Sequence, residues 1–590
     1  MRNGGFLSPF FQMHRGVRQG CPISPLLFIM TVELLAINIR KEKNIKGFCI
    51  PGSNRPIKIK QYADDTTLFL KDIIDFREVL SKIKNFAEFS GLNLNKNKSF
   101  IMMISNKTKN NHIKFGIRFV NQIKILGVIF SNEKKASENE DNYVHKIDQL
   151  KRICSLWAKR KLSILGKITI LKSFGLSLFV YIMQSVGIPE EKLNEINTIC
   201  FRFIWNTHSI DKKAHEKVKR KIICSQKEGG GLKMFNIVDS QKSFYFSWAK
   251  RLWSNTDENW KVIPKLIFHR IGGSSAFASN LSSNEYKGLY LLNNTFWKTV
   301  LQVWLDMNAK FQNSKDQIEL HSPLFNNAHI KFKNKTIFIS HCCRQSIVSV
   351  KDVIVNGSII DIDTFSNIFG SRPDTVLTYN VIFNALYVHK VRIQNLNGND
   401  RSQSKLEFAK RIAENIDRKM FINLIQDTEI PYVQNLWSRK FEIEFDRNIW
   451  LIPFNCCRET RLQILQWKIL HYIYPTGVLL KKMKIKDTDL CSFCDSIDTI
   501  DHFFFQCNVV STLWKEIEKI INKQKGLIIQ LDCKSVLLGF QNKQFTQSNI
   551  NFINYLIIIG KHVISKCKFR TITNMTVSLQ NELTLRKLSF

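Results

Sequence analysis

Apolar and polar residues alternate along Ile57–Tyr62 (IKIKQY), and Thr66–Leu70 (TTLFL) is dense in strand formers. Together they predict two strands around a short Ala-Asp-Asp turn, a β-hairpin with carboxylates at its tip. Upstream, Leu27, Met30 and Leu34 recur at the spacing of one helix face, which predicts a helix to about Arg40 with that face buried. Ser24 is placed to cap this helix and Pro25 to occupy its first position. From Asn142 to about Asn206 the pattern turns helical and basic. The Gly/Ser/Asn-rich stretch Gly272–Asn284 and the polar run Gln394–Ser404 mark weak boundaries, with little pattern between them. Beyond Trp450 a helical pattern resumes. The longest uncharged stretch, Ser173–Pro189, holds Gly, Ser and Gln and reads as a buried helix, short of a membrane span. The mixture predicts an α+β chain of several units.

Charge narrows the function. Lys and Arg number 87 against 49 Asp and Glu, a net +38 spread through all 590 residues. Solubility alone is the bland explanation, but an imbalance of this size points to a polyanion partner, nucleic acid first. The opening MRNGGFLSPF has no apolar signal-peptide core, so the fourteen cysteines are expected reduced, in an intracellular protein of the nucleus or cytoplasm with no membrane partner.

Two places carry chemistry. At Tyr62-Ala63-Asp64-Asp65, adjacent acids between apolar strands repel one another and are a poor choice for folding alone. They become reasonable as ligands of two Mg²⁺ ions about 3.5–4 Å apart in phosphoryl transfer; a solvated hairpin is the alternative. Before them, RGVRQGCPISPLLF (Arg15–Phe28) joins a glycine loop rich in donors to a helix start, able to support a template or a nucleotide. Near the C-terminus, Cys491, Cys494, His502 and Cys507 read C-x2-C-x7-H-x4-C, a donor set suited to a closed tetrahedral Zn²⁺ site, although spacing alone leaves buried thiols open. The adjacent pairs Cys342-Cys343 and Cys456-Cys457 cannot easily chelate one metal and read as core thiols. The basic stretches Lys151–Lys172 and Lys212–Lys221 could track a phosphate backbone or simply be solvated faces.

These motifs resemble, in order and spacing, those of the non-LTR (LINE-type) retrotransposon reverse transcriptases. RGVRQGCPISPLLF is similar to the family's helix-entry motif, Tyr62–Asp65 to its catalytic box, Phe89–Ser99 (FSGLNLNKNKS) to the motif ending in Lys-Ser, and Ile123–Phe130 (IKILGVIF) to its Leu-Gly primer-grip hairpin. The resemblance continues through Gly166-Lys167-Ile168, Phe203–Asn206 and Gly229–Leu232. It resumes at Leu462–Leu470, Leu490–Cys494, His502–Phe504 and Trp514, which resemble the zinc-binding region that follows the polymerase. About 290–445 has no match.

The resemblance implies a partial palm with an antiparallel sheet and helices (1–135), a helical thumb (136–235), a connector of unclear fold (236–445) and a largely helical zinc-binding region (446–590). It implies RNA-directed DNA polymerisation with an RNA template, a DNA primer or target, deoxynucleotides and Mg²⁺. Asp64 is then the ligand of both metals, Asp65 the supporting acid and Lys98 an aid to pyrophosphate departure. Arg15, Gly16, Arg18, Gln19, Gly20 and Tyr62 would bind template or nucleotide. The family's palm has a further metal-binding aspartate before the glycine loop, and Met1–His14 contains no Asp or Glu. An N-terminally truncated chain, inactive alone, is therefore expected. The alternative is a non-catalytic RNA- or DNA-binding remnant.

Overall fold

The strand pattern and the acid pair resolve into a tight hairpin in the computed structural model. It describes all residues except 1, 4–5, 8, 10–19, 51–55, 105–112, 115, 134–138, 206–214, 255, 257, 312–319, 321, 356, 371, 390–415, 426–428, 571–573 and 587–590. The polar run Gln394–Ser404 lies outside the described residues. Strands β1 (Ile59–Tyr62) and β2 (Asp65–Leu68) pair antiparallel, with Ile59 opposite Leu68 and Tyr62 opposite Asp65. Helix α1 (Ser24–Lys41) precedes them and α2 (Ile73–Ser90) follows. Asp72 starts α2 by accepting from the N–H groups of Ile74 and Asp75, and Gly91 ends it in the left-handed conformation, φ 73°. A second hairpin, β3 (Gln122–Ile125) and β4 (Val128–Ser131), turns on Leu126 and Gly127, both with positive φ, as a tight two-residue loop demands.

The buried face of α1 differs from the expected one. Leu27, Met30 and Leu34 are exposed, while Leu35, Ala36 and Ile39 pack with Ile45, Ile59 and Val79. The sequence SPLLFIMTVELLAINI is apolar on nearly every side, so its period could not choose a face; contacts with β1 and α2 do. Ser24 is the first helical residue and makes no capping bond, the N-cap position falls on Ile23, and Pro25 sits one place further in. A one-residue offset of this kind is common at fraying helix ends.

The chain divides into two compact units, each made of two stretches. The first comprises Met1–Asn142 and Trp248–Ala413, the second Tyr143–Ser247 and Glu414–Phe590. The Trp248–Ala413 stretch is not patternless. Trp248, Trp260 and Trp297 form an aromatic cluster, with Trp260 and Trp297 stacked at 6.1 Å. Further on, Leu324, Cys342, Cys343, Val350, Phe365, Phe369 and Leu386 build a separate core.

In the second unit α3 (Val144–Ala158), α4 (Ile164–Ile170), α5 (Ser177–Ser185) and α6 (Glu190–Trp205) form a helical layer. A π-helical turn, Leu171–Gly175, joins α4 to α5. There Gly175 admits Leu150, since an added Cβ would lie 2.8 Å from the leucine Cδ1. Among the described residues no single helix is long and apolar enough to cross a membrane. The bent pair around this turn buries Leu171, Leu176, Phe179 and Ile182 in the unit's interior.

The C-terminal stretch adds α7 (Thr460–Leu470), α8 (Asn508–Lys525), α9 (Gln547–Arg570) and α10 (Met575–Leu585) around a large apolar core that includes Trp437, Trp450, Trp514 and Ile557. The Gly229-Gly230-Gly231 turn docks on it. Trp467 Nε1 and His471 Nε2 both donate to the Gly230 carbonyl at 2.8 Å. Side chains are excluded there, because a Cβ on Gly231 would sit 2.1 Å from the Ser225 carbonyl oxygen.

Candidate functional site

Ala63 and Asp64 form the turn between β1 and β2, and Asp65 is the first residue of β2. Ala63 holds φ 51°, a left-handed conformation that costs a non-glycine residue roughly 1 kcal/mol. Both carboxylates are exposed, as is Tyr62. The hairpin therefore presents two adjacent acids to solvent at its tip, with the positive φ that a two-residue hairpin turn calls for. Gly20 has φ 91° and open space where a Cβ would be. Arg15, Gly16, Arg18 and Gln19 lie outside the described residues. Lys98 is exposed in a single 3₁₀ turn that Asn95 caps through the Lys98 N–H.

Sequence reading passed over Asp75. It is 1% exposed and accepts from the backbone N–H groups of Lys46, Gly47 and Lys71 at 2.9–3.0 Å. Burial pushes its carboxyl up, but the three N–H donors outweigh that and hold it below its ordinary value. Asp75 thereby ties the start of α2 to the loop entering β1. On β4, Asn142 does similar work, bonding both the N–H and the carbonyl of Ile129.

Among the described residues, the four expected C-terminal ligands are the one set of three or more His, Cys, Asp or Glu whose ligand atoms converge. Cys491 Sγ, Cys494 Sγ, His502 Nε2 and Cys507 Sγ all lie within 4.8 Å of one another. Cys494 Sγ is 3.2 Å from His502 Nε2 and 3.6 Å from Cys507 Sγ. Tetrahedral Zn–S bonds of about 2.3 Å require sulfurs roughly 3.8 Å apart, so the set fits the ion.

Local structure explains the convergence. Cys491 N–H donates to the Ser496 carbonyl and Leu490 bridges Ile497, closing a knuckle that carries Cys491 and Cys494. His502 begins a π-helical turn ending at Gln506, and Cys507 is the N-cap position of α8, where the helix dipole favours a thiolate. The backbone N–H of Ser496 draws the Cys494 thiol below its ordinary value, while burial pushes Cys507 up to about 12. The knuckle is braced from below. Fully buried Asp498 pairs with Lys568 at 2.8 Å, and Phe493 stacks on Phe503.

Residues 4–130 match the family described as reverse transcriptase (RNA-dependent DNA polymerase), and residues 418–514 match zinc-binding in reverse transcriptase. The two matches contain the acid hairpin and the Cys₃His cluster respectively, so both candidate sites lie in stretches similar to reverse transcriptases. Similar proteins refine this. The transposon TX1 uncharacterized 149 kDa protein of Xenopus laevis is 20% identical over 561 residues, 86% of this chain and 42% of that one. A retrovirus-related Pol polyprotein from the type-2 retrotransposable element R2DM of Drosophila melanogaster is 30% identical over 109 residues, 18% of this chain and 10% of that one. A protein of Arabidopsis thaliana provisionally named for ribonuclease H is 24% identical over 131 residues, 22% of this chain and 21% of that one. The family matches and these relatives support a non-LTR retrotransposon reverse transcriptase, and the chain spans less than half the length of each relative.

Proposed function

We propose that this chain is the part of an RNA-directed DNA polymerase that contributes the acid hairpin, a helical cradle for RNA template and DNA primer, and a zinc-stabilised C-terminal region. The observation that carries it is the exposed Asp64–Asp65 pair on a tight turn, inside a stretch matching the polymerase family. In this reading residues 1–135 belong to the palm, 136–235 to the thumb and 446–590 to the zinc-binding region, joined by 236–445. Asp64 and Asp65 would hold two Mg²⁺ ions, which when bound would supply activation of the primer 3′-oxygen and charge stabilisation at the leaving pyrophosphate. Tyr62, Gly20 and the residues Arg15, Gly16, Arg18 and Gln19 support template and nucleotide, and Lys98 donates toward the pyrophosphate. Cys491, Cys494, His502 and Cys507 bind one Zn²⁺ as a folding element without chemistry.

A second reading is a non-catalytic RNA- or DNA-binding protein, which the net charge of +38 would serve without any synthesis. Primer extension on an RNA template with Mg²⁺ or Mn²⁺ separates the two. Both readings expect the chain to bind primer–template, and the first alone expects Asp64-dependent extension. Extension that Asp64→Ala abolishes would remove the second reading, and absence of any primer–template binding near physiological salt would remove both.

A further inference from the structure

Lys161, Lys167, Lys217, Arg461, Lys468 and His562 line a single cavity of about 460 Å³ within the second unit. No Asp or Glu is among its described lining residues. Helix α7 supplies Arg461, Ile464, Leu465 and Lys468, spaced i, i+3, i+4 and i+7 on one face. Lys167 reaches in from α4, its Nζ donating to the Phe203 and Ile204 carbonyls at the end of α6. The other cations are different. Among the described residues, the charged ends of Lys161, Lys217, Arg461 and Lys468 have neither a hydrogen-bond nor an ion-pair partner.

The lysines feel one another. Burial and the nearness of Lys468 depress Lys167 to about 8, and burial and the nearness of Lys217 depress Lys468. Trp205, also in the lining, has a shielded indole N–H with no acceptor among the described residues. Gathered cations, an orphan donor and no carboxylate describe a site complementary to a multiply charged oxyanion. Surface lysines merely in search of water would spread apart. The volume lies in the range of small-ligand sites, roughly 300–1,000 Å³, and exceeds what one phosphate fills. Ile164, Ile464 and Pro475 add an apolar wall against which a sugar can lie.

We propose that this cavity binds consecutive phosphates of a nucleic acid strand, with Arg461, Lys217 and Lys468 as the principal anion ligands. The choice of a strand, over a free nucleotide or pyrophosphate with the same phosphate chemistry, rests on the reading of the chain as a template-binding polymerase part.

The test uses the full chain, a labelled single-stranded 20-mer of about neutral base composition, and inorganic pyrophosphate as the small-anion probe. K217Q/K468Q should weaken 20-mer binding tenfold or more at 0.15 M salt and flatten the log–log salt slope by about 1.4, or 0.7 for each phosphate lost. Replacing three exposed lysines of the first unit, K331Q/K333Q/K335Q, should cost less than threefold. The unliganded double variant should melt no lower than wild type at low salt, because it has shed mutual repulsion. If it melts lower, R461Q decides: a fivefold or greater loss of affinity at unchanged melting temperature supports the site, and an unchanged affinity overturns it. A pocket variant no weaker than the lysine control overturns the site while leaving the polymerase reading intact. A wild-type chain that pyrophosphate stabilises but the 20-mer does not bind overturns the strand assignment, and the polymerase reading with it.

Discussion

Asp75 and Asp64 are the same amino acid in the same part of the chain, yet they do opposite things. Asp75 is enclosed and accepts three backbone N–H bonds, while Asp64 faces solvent at a hairpin tip. Replacing Asp75 by asparagine sets an amide donor against N–H donors, and should lower stability by about 2–3 kcal/mol in denaturant unfolding. Because its folded value is depressed, its contribution is present at neutral pH and is lost as pH falls below the ordinary carboxylate range. The Asp75→Asn variant should lack that acid-side loss. No spacing rule could have found Asp75, since its partners are backbone groups 28 and 29 residues upstream and four residues before it. The Cys₃His set was legible for the contrary reason. Its four ligands fall within 17 residues, and metal chemistry restricts the residue types that suit it. One zinc per chain is expected by elemental analysis, removed by Cys494→Ala with a clear drop in melting temperature. An unchanged melting curve in metal-free protein would exclude the site.

At the scale of elements, the hairpins could be read from sequence and the helix faces could not. Alternation and a two-residue turn fix β1–β2 and β3–β4 locally, whereas α1 is apolar around most of its circumference and only its neighbours decide what is buried. The triple-glycine turn shows how distant residues give a local motif its meaning. The physical reason for its glycines is Ser225 on one side and Trp450, Trp467 and His471 on the other. Gly231→Ala should therefore cost more than about 2 kcal/mol, as overpacking against a backbone oxygen cannot relax by a rotamer change. His471 reports on the same joint. Burial lowers its value from 6.5 to about 4, and it donates to Gly230 as a neutral imidazole. Between those two values the unfolded chain binds the proton and the folded one does not, so stability falls as pH drops from 6.5 toward 4, by about 3 kcal/mol in full. His471→Gln should flatten this part of the pH profile relative to wild type. Parallel profiles would show that the histidine does not titrate against folding.

On the scale of the whole chain, the net charge of +38 was the first hint of a polyanion partner, and it says nothing of where the partner lies. Affinity for unrelated single strands should fall linearly on a log–log salt plot, roughly 0.7 for each phosphate contacted. A flat plot would mean that the basic residues serve solubility alone. Composition could not reveal the concentration of unpaired cations in one cavity. Arg461 and Lys468 sit on α7, and Lys217 arrives from far earlier in the chain.

The interleaving of the two units has a consequence for synthesis. The stretch Tyr143–Ser247 leaves the ribosome long before Glu414–Phe590, against which Gly230 is seated. At about 5–20 residues per second, the earlier stretch waits roughly 10–45 s for its partner while the intervening segment and the helix bearing Trp467 are made. During that interval the glycine turn has no tryptophan to receive, and apolar surface awaits its cover. A ribosome that stalls or terminates early in the last third would thus release a half-built unit, a natural client for chaperones and proteases.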